Sequence, residues 1–255
     1  MVIDNPAYFD AMAETHGIEA ALIVTVGNDD TGLGYGNNND FVAQLSASGE
    51  FGWIRPTYFL RVSELTVAKL EELAASPTPW VGITMYTGTL DPPENTTLHT
   101  VDPAAWSWLA ARKWIVSVND GCTGRSDASG WPHWLEVVRA HPELRLTCSH
   151  LGLPDSFPAD STPTLDECRQ RIAEVLALAE FPGPRVRSTS PHPHAAAVAP
   201  SKWRWCGQVK LSGFYALTTP SHAYPHTAAF GYVQLLLEAF GAERCAKLSS
   251  PRVPI

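Results

Sequence analysis

Long apolar runs, clustered charge and paired cysteines are all missing from this 255-residue chain. No run approaches the ~18 residues that a membrane-spanning helix needs. The start, Met1-Val-Ile-Asp-Asn-Pro6, has neither the basic opening nor the apolar stretch of a signal peptide. Lys and Arg number 18 against 26 Asp and Glu, a net charge of -8, with no block of one sign. Nucleic acid needs a clustered basic face, so nucleic acid and anionic membrane surfaces are excluded as partners. The five cysteines, Cys122, Cys148, Cys168, Cys206 and Cys245, form no Cys-x-x-Cys pair and are odd in number. Reduced thiols in a cytoplasmic protein are the expectation. No G-x-G-x-x-G follows a strand, which disfavours nucleotide binding, and there is no P-loop and no G-x-S-x-G elbow.

What is present is rhythm. At 45% hydrophobic the chain can bury a sizeable core. Seven short β-rich runs recur: 20–26, 51–59, 80–86, 114–119, the run ending at His150, 208–214 and 245–249. Between them lie helical patterns at 40–48, 63–73, 103–112, 131–140, 165–179 and 230–240, after an opening helix over 6–17. Ser63 is a candidate N-cap, and Pro103 suits a first helical turn. Strict β-then-α alternation predicts a parallel sheet in one domain spanning 1–255, either a barrel or an open doubly wound sheet. Residues 184–206 break the rhythm and are expected to form a disordered insertion. The His192-Pro-His194 pair inside it resembles a metal pair but has no scaffold to fix ligand geometry.

One stretch carries most of the functional signal. Arg145-Leu-Thr-Cys-Ser-His150-Leu-Gly-Leu-Pro154 is an apolar run that ends on a histidine and turns at once. In a (β/α)8 barrel, chemistry sits at the C-terminal ends of the strands. His150 is therefore a candidate active-site residue, although a histidine that merely closes a core strand would give the same pattern.

Three stretches, in order, carry a resemblance. They are Trp108-Leu-Ala-Ala-Arg-Lys-Trp-Ile-Val-Ser-Val-Asn119, His141-Pro-Glu-Leu-Arg-Leu-Thr-Cys-Ser-His150-Leu-Gly-Leu-Pro154, and Val209-Lys-Leu-Ser-Gly-Phe-Tyr-Ala-Leu217 with Tyr224-Pro-His226 and Phe240-Gly-Ala-Glu-Arg244. The chain resembles the amidohydrolase-related family of barrel hydrolases, the branch with L-fuconolactonase and 2-pyrone-4,6-dicarboxylate lactonase. The resemblance implies a (β/α)8 TIM-barrel-like fold lacking the family's first strand. It implies a hydrolase that directs water at the carbonyl of a lactone or related small carboxylic substrate.

The resemblance also implies a divalent metal, zinc or manganese, but the usual ligands are missing. The family's opening His-x-His strand has no counterpart. The closing Gly-Ser-Asp is replaced by Leu248-Ser-Ser-Pro251, and the fifth strand of the family ends here in Asn119. These departures fit a chain truncated at both ends or a degenerate paralogue. Such a chain is expected to be nearly inactive and to bind zinc weakly. No metal ligand set can be named.

Within that frame His150 is the acid/base or hydrogen-bond donor at the carbonyl, and Asn119 a hydrogen-bonding partner of the substrate. Arg55 and Lys210 are candidates for a substrate carboxylate, though structural charges serve barrels as often. Tyr86, like Tyr215, is a packing residue with its hydroxyl at the site's edge. Trp53, Trp80, Trp106, Trp108, Trp114, Trp131 and Trp134 are expected to fill the helix–strand layer. The competing class is a non-catalytic barrel used for binding or assembly. A homo-oligomer is compatible with the chain, and nothing in the sequence requires one.

Overall fold

The computed structural model describes residues 20–25, 37–86, 98–119, 130–154, 157–158, 161–181, 185–186, 203–204, 208–212, 218–219, 226–242 and 244–246, with isolated positions at 11, 14, 15 and 214. Seven strands form one all-parallel sheet: β1 (Ala21–Ile23), β2 (Ile54–Phe59), β3 (Gly82–Met85), β4 (Ile115–Val118), β5 (Arg145–Cys148), β6 (Gln208–Lys210) and β7 (Cys245–Ala246). They pair in chain order without a reversal. A doubly wound sheet must reverse its strand order to cover both faces. Neighbour-to-neighbour winding curls one way only, and the architecture is the TIM-barrel-like one.

The helices all belong to one layer. These are α1 (Asn39–Ala47), α2 (Val67–Ala75), α3 (Pro103–Arg112), α4 (Trp131–Ala140), α5 (Leu165–Arg171), α6 (Ala173–Ala177) and α7 (Phe230–Phe240). Three of them, α3, α4 and α7, have the bounds that periodicity predicts. In α3, Asp102 Oδ1 accepts from Ala104 N at 2.9 Å and Pro103 opens the first turn.

Two local expectations are corrected. Ser63 does not cap a helix; it sits inside a 3₁₀ turn, Val62–Glu64. The cap of α2 is Thr66, whose extended backbone frees its hydroxyl to accept from Lys69 N at 3.2 Å. The single helix expected over 165–179 is two helices. Ile172, β-branched and fully buried, leaves helical geometry (φ −121°, ψ 25°), so α5 and α6 each keep an apolar side chain inside, Cys168 and Val175.

The register sorts every strand residue onto one of two faces. Ile83, Met85, Val116, Val118, Leu146, Cys148 and Val209 point to the helices and join one core with Trp106, Trp131, Trp134, Tyr232 and Phe240. Val42, Leu73 and Trp80 make a smaller cluster. Trp80, Trp106, Trp108, Trp114, Trp131 and Trp134 thus join the two core clusters, whereas Trp53 does not. Cys148, Cys168 and Cys245 are free and buried. Among the described residues no helix is long and apolar enough to cross a membrane. Within the expected insertion only Arg185–Val186 and Trp203–Arg204 are described, pairing antiparallel, and His192 and His194 lie outside the described residues.

Gly82 shows how closely the strands approach. A Cβ built there would collide with the carbonyl of Ile115, its register partner on β4. The obstacle is backbone and cannot swing aside. We expect Gly82→Ala to destabilise the fold by ~1–3 kcal/mol, the usual range for overpacking. Urea denaturation monitored by tryptophan fluorescence measures this, with a lowered midpoint as the expected outcome.

Candidate active site at the strand C-termini

The face turned away from the helices carries a row of buried hydroxyls. Thr84, Ser117 and Thr147 lie side by side in register on β3, β4 and β5, all buried. Thr57 on β2 shares a 2.6 Å hydrogen bond with Thr84, and its hydroxyl also donates to Ile23 O at 3.0 Å. Lys210 on β6 reaches over β5 and donates from Nζ to Ser117 Oγ on β4 at 3.2 Å. A side chain can span two strands in this way only across a concave surface.

One step nearer the C-terminal ends, the ladder continues through Asn119 N to Met85 O and Ser149 N to Val118 O, both 2.9 Å. This adds Tyr86, Asn119 and Ser149 to the same face. The Oδ1 atom of Asn119 is buried and has no hydrogen-bond partner among the described residues. Tyr86 packs against Phe59, ring centroids 5.8 Å apart.

His150 follows directly. Its Nδ1 is 3.0 Å from Ser212 Oγ, just beyond β6. The backbone here is unusual. His150, Leu151, Gly152 and Leu153 all have positive φ, at 53°, 59°, 83° and 46°. Left-handed geometry in non-glycine residues costs roughly 1–2 kcal/mol per residue. The turn is held from three sides. Leu151 is fully buried, Leu153 N donates to His150 O at 2.8 Å, and the indole Nε1 of Trp131 donates to Gly152 O at 2.9 Å. Strained backbone persists where its surroundings over-determine it.

Electrostatics couple the two bases. Burial pulls the Lys210 amine down from 10.5 to about 8, with the Cys148 sulfur acting in the opposite direction. Burial also lowers His150 below the usual imidazole value, and the Lys210 charge adds to that. At neutral pH the site therefore offers a neutral imidazole beside a largely protonated amine.

Of the residues singled out from the sequence, the fold brings together His150, Lys210, Asn119 and Tyr86. Arg55 is not among them. It has the same parity as Thr57, but it stands at the N-terminal end of β2, exposed, with its guanidinium donating to Gly52 O and Ile54 O at 2.8 and 2.9 Å. Position along the strand, not face, separates it from the site. Sequence reading missed the serine and threonine layer and Ser212. The signal was the single hydroxyl residue at the third position of Gly82-Ile-Thr84-Met, Ile115-Val-Ser117-Val and Arg145-Leu-Thr147-Cys, each between apolar neighbours.

Metal donors divide sharply. The described part of the concave face supplies one imidazole and a lysine amine, with no carboxylate. That set does not fit a divalent cation, which a neighbouring ammonium would repel. A group that could hold one lies elsewhere: His99, in a 3₁₀ turn (Leu98–Thr100), with His133 and Glu136 on α4.

No protein-family model matches this chain, and no curated protein matches it. Among solved structures it is similar to an amidohydrolase from Burkholderia multivorans in two crystal forms. The form with bound zinc superimposes with a TM-score of 0.56 at 17% identity, covering 94% of this chain and 71% of that one. The form with bound HEPES gives 0.60 at 16% identity, with the same coverage. The chain has an amidohydrolase-type barrel fold. At this identity the likeness establishes the fold, and it agrees with the strand order described above.

The Lys210 amine predicts a signed pH effect. Below about pH 8 the folded state carries a buried ammonium, at a cost on the order of 3 kcal/mol. Between about 8 and 10.5 the folded state has released that proton while the unfolded chain still binds it, so stability rises with pH. Lys210→Met should abolish the rise; the difference between wild-type and variant unfolding free energies across that window measures it. A second expectation concerns the strained turn. Trp131→Phe removes the bond to Gly152 O and shrinks a fully buried side chain, and should cost ~2–4 kcal/mol in chemical denaturation.

Proposed function

We propose that the protein is a hydrolase of the amidohydrolase type, directing water at the carbonyl of a lactone or related small carboxylic substrate. The observation that carries this reading is His150. It ends the fifth strand on a strained left-handed turn, is oriented through Nδ1 by Ser212, and is kept neutral by burial beside Lys210. A neutral imidazole tied through Nδ1 leaves Nε2 for proton transfer, first from the attacking water and then to the leaving oxygen.

The other residues divide the remaining work. The protonated Lys210 amine suits a developing oxyanion or a substrate carboxylate. Asn119 lies one strand away with a buried, unpartnered Oδ1, which suits a hydroxyl or N–H donor on the substrate. Tyr86 closes the same row of residues. The polar layer beneath, from Thr57 to Thr147, fixes the Lys210 side chain from below and gives the site a rigid floor. No step here runs through a metal, because the donors described on this face do not fit one.

The test is turnover of a panel of aldono- and pyrone-type lactones, followed by proton release. Turnover by this chain is expected to be slow, since the family's usual ligands are missing, and His150→Ala should lower kcat further, by up to about 10²–10⁴, the scale for a positioned acid/base. Lys210→Met should raise KM most for lactones that carry a free carboxylate. Turnover unchanged by His150→Ala would remove this histidine from the mechanism. Absence of hydrolysis across the panel would sink the lactone assignment.

A further inference from the structure

We propose that His99, His133 and Glu136, carried by helical elements rather than by the strands of the concave face, form a site for a zinc-type divalent metal. The three side chains come from two elements that are far apart in sequence. His133 and Glu136 are three apart on α4, so both project from one side of the helix. His99 is brought to them by the 3₁₀ turn that precedes α3. The donor atoms, one from each residue, all lie within 4.8 Å of one another. Ligands of a tetrahedral zinc with ~2 Å bonds sit roughly 3.3 Å apart, so side-chain rotation alone closes the difference.

The arrangement is held by the core rather than by chance surface contact. Leu98, beside His99, is buried, and so are Trp131 and Trp134 on α4. Two anchored backbones therefore present the ligands. The imidazoles meet edge to face, centroids 4.3 Å apart, with His99 Nε2 hydrogen-bonded to His133 Nδ1. On its other side His99 Nδ1 lies 3.5 Å from Glu136 Oε2. Two imidazole nitrogens directed at each other share one proton, and a metal ion between them satisfies both lone pairs. The carboxylate then either enters the shell or holds the His99 ring in the required tautomer. Two imidazoles and one carboxylate favour zinc, cobalt or nickel over magnesium and calcium, which prefer all-oxygen shells.

With Glu136 in the shell, three protein ligands leave a fourth position for water. The bound ion would clamp the segment leading into α3 to the first turns of α4. The proposal does not rest on the hydrolytic reading, and its test uses no activity.

The experiment is zinc titration of the metal-stripped full-length chain against a chromophoric chelator, with cobalt absorption as the coordination signature. One equivalent should bind, giving tetrahedral cobalt bands and a raised Tm. His99→Gln and His133→Gln should each weaken binding by at least ~100-fold and abolish the cobalt bands, with unchanged far-ultraviolet circular dichroism. His150→Ala should bind zinc like wild type. The proposal is overturned if wild type binds no zinc at micromolar concentration, if the His99 and His133 variants bind as tightly as wild type, or if His150→Ala removes the ion.

Discussion

Parallel pairing in chain order is the constraint on which everything else here depends. Because each strand sits beside its predecessor, every helix must return along the same side of the sheet. That side is then closed to water, and the opposite side curls inward. A strand in this setting has two unlike environments one residue apart. Val116, Val118, Leu146 and Cys148 meet the helix layer, while Ser117 and Thr147 between them do not. A buried hydroxyl costs least when bonded, and the Thr57–Thr84 pair and the Lys210–Ser117 bond meet that demand.

The strained turn at the end of β5 follows from the same geometry. The chain must leave the sheet, pass under α4 and still point an imidazole across to β6. Four consecutive residues with positive φ achieve this, and their cost is met by burying Leu151 and by the indole bond from Trp131. Trp131 thus belongs to the core and to the site at once. It opens α4, which also carries His133 and Glu136. One helix end therefore carries both the indole that holds the His150 turn and two of the proposed metal ligands.

Most of the architecture was legible in the sequence because alternation and helix periodicity are strong signals. All seven strands join one parallel sheet, and α3, α4 and α7 keep their expected bounds. What the chain could not decide alone was barrel against doubly wound sheet, since both share the same alternation; strand order settles it. His150 was visible as a histidine at an abrupt strand end. Ser212 was not, because its partner is 62 residues away. Arg55 could not be placed for a related reason: a charge in a strand reveals its face by parity, but the end of the barrel it occupies depends on where the strand begins. The His99 cluster was hidden because one ligand lies in a short turn with no periodicity.

Asn39 has a role that reaches beyond its own neighbourhood. Strand β1 spans three residues and β2 six, so the last part of β2 runs past the end of its neighbour. The Asn39 side chain occupies that place: its Nδ2 donates to Phe59 O at 3.0 Å, and its Oδ1 accepts from Phe59 N at 2.7 Å. One amide imitates the peptide group of a missing strand. Exposed strand edges are the sites at which chains recruit one another into aggregates. A single asparagine at the start of α1 therefore keeps both backbone groups of Phe59 from offering themselves to another strand.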